Sequence, residues 1–114
     1  MEEVARVSQG MQHIVLFRFP RALSEPDERE MWEQVRAWPK EIPGFTRLQL
    51  GKDVGGRSGG YQYLLLTEFE SEEAMRAYFP HPVHQRFSDW VFSRDCEVLR
   101  FDYPLDAESA LFGG

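Results

Sequence analysis

The chain has 114 residues and a mass of 13.4 kDa, the size of one domain. Hydrophobic residues make up 42% and charged residues 28%, a balance that excludes a disordered chain and lets the protein build a core. The net charge is -6, from 13 basic and 19 acidic residues; this argues against a nucleic-acid backbone or an anionic membrane surface as partner.

Met1 to Met11 is polar and without period, and reads as a flexible N-terminal arm (residues 1–11). Gln12 to Phe19 is rich in branched and aromatic residues and predicts a strand, ended by Pro20. Ser24 is placed to cap a helix, with Pro26 in its first turn and Asp27, Glu28 and Glu30 near its positive end. Met31, Val35 and Trp38 recur at helical spacing as its buried face, and Pro39 and Pro43 are expected to stop it. A second strand is expected over Phe45 to Lys52, then a glycine-rich hairpin tip at Gly55, Gly56, Gly59 and Gly60. A phosphate cradle would need a helix after these glycines, and a strand, Tyr61 to Phe69, follows instead. Ser71 caps the next helix, which runs to about Phe79. Pro80 and Pro82 bend the chain around His81, which is placed to cap a further helix, Pro82 to Ser93. Cys96 to Tyr103 predicts the last strand, ended by Pro104; residues 104–114 read as a tail that could dock only through Leu111 and Phe112.

This order fits an α+β fold, a four-stranded antiparallel sheet with helices on one face. A sheet with one wet face alternates apolar and polar residues. These strands do not. His13, Val15, Phe17 and Phe19 share one face of the first strand, and Ile14 and Leu16 the other. Leu64 and Leu66 in the third strand, and Leu99 and Phe101 in the fourth, join that second face. Helices on one side cannot cover it, and an exposed patch of this kind is more than a soluble monomer tolerates. The expected cover is a second copy of the chain, a homodimer packed sheet to sheet through Ile14, Leu16, Leu64, Leu66, Leu99 and Phe101.

Several segments resemble one family. They are His13-Ile14-Val15-Leu16-Phe17-Arg18-Phe19, Ile42-Pro43-Gly44, Glu68-Phe69-Glu70-Ser71 and Phe101-Asp102-Tyr103. The most distinctive is Tyr78-Phe79-Pro80-His81-Pro82-Val83-His84. On these the chain is similar to the stress-responsive A/B barrel (Dabb) domains over residues 12–103. The resemblance implies a ferredoxin-like protomer and a dimeric α+β barrel. Most such proteins have no assigned reaction, and a small molecule bound between sheet and helices is the expectation.

One relative, the plant polyketide cyclase that makes olivetolic acid, closes its substrate by an aldol step without cofactor or metal. It shares Gly51-Lys52-Asp53-Val54. The likeness implies His84 as acid/base and Tyr78 as hydrogen-bond donor, with His13, Met31, Trp32, Val35, Tyr63 and Arg100 around the substrate. Tyr63 stands where the cyclase has a second pocket histidine, and Asp95 and Arg100 replace apolar lining residues. The implied pocket is therefore more polar and suits a long alkyl chain less well. Haem-degrading enzymes of similar architecture use an asparagine, and this chain has none.

The residues themselves allow blander roles. Tyr78 fits a core aromatic and His84 a backbone-bonded imidazole. His81 and His84 stand three apart, as metal ligands can, but no third ligand completes a familiar spacing, so no metal site is expected. Arg100 has Asp95 or Asp102 as possible partners, or an anionic ligand. Cys96 reads as a small core residue rather than a nucleophile. A lone cysteine and no leader segment fit a cytoplasmic protein.

Overall fold

A computed structural model describes residues 10–113. Its elements are β1 (Gly10–Arg18), α1 (Glu25–Glu41), β2 (Phe45–Lys52), β3 (Tyr63–Phe69), α2 (Glu72–Tyr78), α3 (Pro82–Phe92) and β4 (Glu97–Leu105). The four strands form one antiparallel sheet in the order β2-β3-β1-β4, with the helices on one face, a ferredoxin-like arrangement. Most of the expected arm lies outside the described residues, but Gly10 and Met11 belong to β1, opposite Leu105 and Pro104.

The caps form as their residue types dictate. Ser24 accepts from the amide of Asp27, Ser71 from that of Ala74, and the His81 ring from that of Val83. His81 is thus a helix cap. Two prolines do not stop their elements. Helix α1 runs through Pro39 to Glu41, because in the last turn a missing N–H deprives only one carbonyl of its partner. Completing that turn buries Trp38 and Ile42, and the Ile42 amide bonds the Trp38 carbonyl at 2.7 Å. Strand β4 likewise continues through Pro104 to Leu105; it is an edge strand, where a missing ladder donor is tolerated.

Strand parity decides what each face becomes. Val15, Phe17, Leu65 and Phe69 face the helices and meet Met31, Val35, Trp38, Met75, Tyr78, Phe87 and Val91 in the buried core. A bulge at Thr46 adds one residue to β2 between Phe45 and Arg47. Without it Phe45 and Leu48 would fall on opposite faces; with it both pack against the core. Gly44 enters β2 at φ 103°, and a Cβ there would lie 2.7 Å from the Ala74 Cβ, so only glycine fits.

The other face carries two cross-strand rows, Leu66-Ile14-Phe101 and Leu64-Leu16-Leu99. Phe101 is 63% exposed and Leu99 49%, so the protomer leaves this apolar face open. Leu111 and Phe112 of the tail are exposed and dock nowhere on the protomer. No helix among the described residues is long and apolar enough to cross a membrane.

Met31 has no exposed surface at the centre of the core. Met31→Ala is expected to lower stability by about 2–5 kcal/mol, read as a shift in the urea midpoint with an unchanged slope. Phe112→Ala, at a fully solvated site, should leave the midpoint where it is.

Candidate functional site

A cavity of about 60 Å³ lies between the helix-facing side of β1, β3 and β4 and the helices α2 and α3. Its walls include Val15, Phe17, Leu65, Phe87, Val91 and Val98, and its polar groups include His13, Tyr78, His84 and Arg100. The volume would hold roughly four water molecules. It lies toward β4, where helix cover thins: Arg100 and Asp102 share the face of Val15 and His13 yet remain exposed.

His84 sits in the first turn of α3, and its Nδ1 lies 2.9 Å from the carbonyl oxygen of Phe79. A carbonyl can only accept, so Nδ1 carries the proton. In the neutral ring Nε2 then holds the lone pair, with no hydrogen-bond partner among the described residues. Burial holds the His84 pKa below its ordinary value, although the Phe79 hydrogen bond acts the other way, and the nearby Arg100 guanidinium adds to the lowering. The bend through Pro80 makes this contact possible, because it turns the Phe79 carbonyl back toward α3, where Gln85 Nε2 also donates to it at 2.8 Å.

Tyr78 ends α2, 1% exposed and enclosed by Trp38, Phe45, Phe69 and Phe79. Its ring lies 4.1 Å from that of His84. Its hydroxyl is buried and has no hydrogen-bond partner among the described residues, so it does not bond His84. Burial raises the phenol pKa well above its usual value, which keeps the proton on oxygen. Two residues that line one cavity thus carry a proton donor and a proton acceptor with no partner among the described residues.

His13 is the third ring, edge-on to Tyr78 at 6.0 Å and to Phe79 at 5.2 Å. Its Nδ1 is 2.5 Å from Asp102 Oδ1 across the β1–β4 pair. Asp102 is thus committed to His13 rather than to Arg100. Arg100 has no salt-bridge partner among the described residues, and Asp95 does not supply one. No cluster of three His, Cys, Asp or Glu side chains suited to a metal occurs among the described residues.

The remaining expected pocket residues lie elsewhere. Met31 and Val35 are core residues behind the cavity wall, and neither lines it. Tyr63 donates its hydroxyl to Glu28 Oε2 at 2.7 Å and packs edge-on against Trp32 at 5.8 Å. Lys52 reaches the same carboxylate oxygen at 2.8 Å, and these two contacts hold the Glu28 pKa below the usual range. Trp32 and Tyr63 therefore belong to a polar anchor between α1 and β2–β3. Reading the sequence did not assign Phe79, Phe87, Ser88, Val91, Phe92 and Val98 to the cavity. Cys96 is buried beside Glu97, and burial pushes its thiol up to about 11, so it is not a nucleophile near neutrality.

Two outcomes follow from these environments. An unpartnered buried hydroxyl costs about 1–3 kcal/mol, so Tyr78→Phe should fold with equal or greater stability, measured by urea unfolding. A lower midpoint would mean that the hydroxyl is bonded in solution. For His84 the unfolded ring takes a proton near pH 6.5, and the folded ring only at lower pH. Its contribution is therefore complete above pH 6.5 and is lost as the pH falls through the lower folded value. His84→Gln should flatten this part of the stability–pH curve, and ¹⁵N shifts should show the proton on Nδ1.

Comparisons with known proteins agree with this architecture. The model of the Stress Responsive A/B Barrel Domain matches residues 11–105. The stress-response A/B barrel domain-containing protein HS1 of Arabidopsis thaliana is 27% identical over 95 residues, spanning 82% of this chain and 87% of that protein. A hydroxynitrile lyase from Passiflora edulis superposes with a TM-score of 0.77 at 19% identity, covering 88% of this chain and 96% of the lyase. A dimeric ferredoxin-like protein of unknown function from Jannaschia gives 0.69 at 25% identity, covering 82% and 97%. With residues 11–105 matched by the family model, the chain belongs to the stress-responsive A/B barrel (Dabb) family.

Proposed function

We propose that this protein is a homodimer that binds a small carbonyl compound in the cavity and moves a proton on it. The observation that carries this reading is the pairing of a buried, unpartnered Tyr78 hydroxyl with a neutral His84 ring on one cavity wall. An orphaned polar group in a core is destabilising unless a ligand completes it. The phenol keeps its proton and suits a carbonyl oxygen that gains negative charge. His84 Nε2 is the acceptor for a proton on the neighbouring carbon. In that step the C–H bond breaks, its electron pair moves toward the carbonyl oxygen, and the proton passes to Nε2. His13, fixed by Asp102, closes the polar end. Proteins of similar fold include a hydroxynitrile lyase and a cofactor-independent oxygenase, so this protomer shape is compatible with an enzyme.

The dimer reading rests on the open face. The two rows across β3, β1 and β4 would cover each other in a sheet-to-sheet pair, and the Jannaschia relative is a dimer. The acidic balance supports no polyanionic partner, and the lone buried cysteine is compatible with a cytoplasmic setting.

Proton transfer is tested by deuterium uptake next to the carbonyl of small ketones and oxo acids, followed by NMR. His84→Ala should abolish catalysed exchange, and Tyr78→Phe should cut it by about two orders of magnitude while the fold stays intact. Uptake that is unchanged in both variants would rule the site out. For assembly, Phe101→Asp should sediment as a monomer at micromolar concentration where the parent is a dimer.

A further inference from the structure

The geometry points to a carboxylate on the ligand: Arg100 at the cavity mouth is a receptor for an anionic group, and the ligand class is a short oxo acid. This inference rests on the proton-transfer reading, and it adds the feature that selects among carbonyl compounds.

Arg100 is the one cation with a permanent charge among the residues lining the cavity, and none of them is acidic. Strand parity puts its side chain on the helix-facing side, directly across from Val15, while its neighbours Leu99 and Phe101 point to the opposite face. A guanidinium on the inner side of an apolar strand needs a partner or water. The nearest acid on that face, Asp102, is bonded to His13 at 2.5 Å. The other ion pairs among the described residues, such as Arg18–Glu97 and Arg94–Asp27, are formed elsewhere. Among the described residues Arg100 thus forms no ion pair at the cavity, and the planar fork of a guanidinium fits a carboxylate by two parallel hydrogen bonds.

The dimensions limit the rest of the ligand. A space of about 60 Å³ admits a body of only a few heavy atoms, and its walls of Val15, Phe17, Leu65 and Val98 are apolar. A ligand that satisfies every group has a short aliphatic body and a carbonyl oxygen at the Tyr78 hydroxyl. It has an acidic C–H within reach of His84 and a carboxylate outside at Arg100. The same charge would favour proton removal, because a cation near the mouth offsets negative charge that builds on the carbonyl oxygen.

The test compares 2-oxobutanoate with butanone and with methyl 2-oxobutanoate, which lack the charge. Each is titrated onto ¹⁵N-labelled protein while the Arg100 and His84 side-chain signals are followed, and deuterium uptake is measured in parallel. The acid is expected to bind at least about tenfold more tightly than either neutral compound. Arg100→Gln should remove that preference and Arg100→Lys should retain part of it. Since Arg100 is exposed, both variants should fold as the parent does. Equal binding of acid and neutral compounds, or a preference that survives in Arg100→Gln, would overturn the carboxylate assignment. No shift of either signal with any of the three up to about 10 mM would overturn it as well. If the acid binds through Arg100 but shows no uptake above the His84→Ala background, the carboxylate receptor stands and proton transfer fails.

Discussion

The structure depends on a sheet that is apolar on both faces while its helices cover only one. Because successive side chains alternate, every residue of β1 contributes to one face or the other, and β1 pairs with both β3 and β4. A register slip of one residue would exchange His13, Val15 and Phe17 with Ile14 and Leu16 and remove the core and the cavity together. The bulge at Thr46 shows the same constraint met locally, since it restores the parity of Phe45 and Leu48 toward the helices. The outward rows are thus a product of the same pattern that builds the core, and so is the need for a cover over them.

Within the covered face, two tyrosines show how environment assigns a role. Tyr63 and Tyr78 are both buried against the helices, but Tyr63 gives its hydroxyl to Glu28 and Tyr78 gives its own to no described group. The indole nitrogens of Trp38 and Trp90 are likewise unpartnered, so a lone donor is not in itself a site. What sets Tyr78 apart is its position on the cavity wall, with the His84 ring 4.1 Å away and His13 beyond it. His84 is placed by a purely local device. The prolines at 80 and 82 force the turn, His81 caps the helix, and the Phe79 carbonyl fixes the His84 tautomer.

Much of this was legible in the sequence. The strand parities, the two apolar faces, the serine caps and the His81 cap follow from residue type and spacing alone. The two prolines were misleading, because a helix end that buries Trp38 and an edge position that needs no donor both override local preference. The site was half legible. His13, Tyr78, His84 and Arg100 come together as expected, but Met31, Trp32, Val35 and Tyr63 do not join them. Met31 and Val35 follow the inner stripe of α1, and that stripe is taken up by the core. Trp32 and Tyr63 are drawn to Glu28 and Lys52, an association between distant segments that spacing cannot display. Asp102 carried a readable signal: it shares the helix-facing side of β4 with Arg100, so a polar partner across the β1–β4 pair was to be sought.

The size of the cavity bears on which chemistry such a fold can host. The volume between these helices and the sheet is far smaller than a drug-sized pocket of several hundred Å³. Enlarging it would mean displacing Phe79, Phe87 or Phe92, and Phe87 is wedged edge-on between Phe17 at 6.0 Å and Trp38 at 5.1 Å. Opening that wedge would break the core that holds α3 in place, and with it the His84 tautomer. Phe79 and Phe92 are less enclosed, so any adjustment to a larger ligand has to come from the mouth. That is where β4 is uncovered and Arg100 stands. The inner end of the site is therefore fixed by packing against a small reacting group, while selection among ligands falls to the exposed strand.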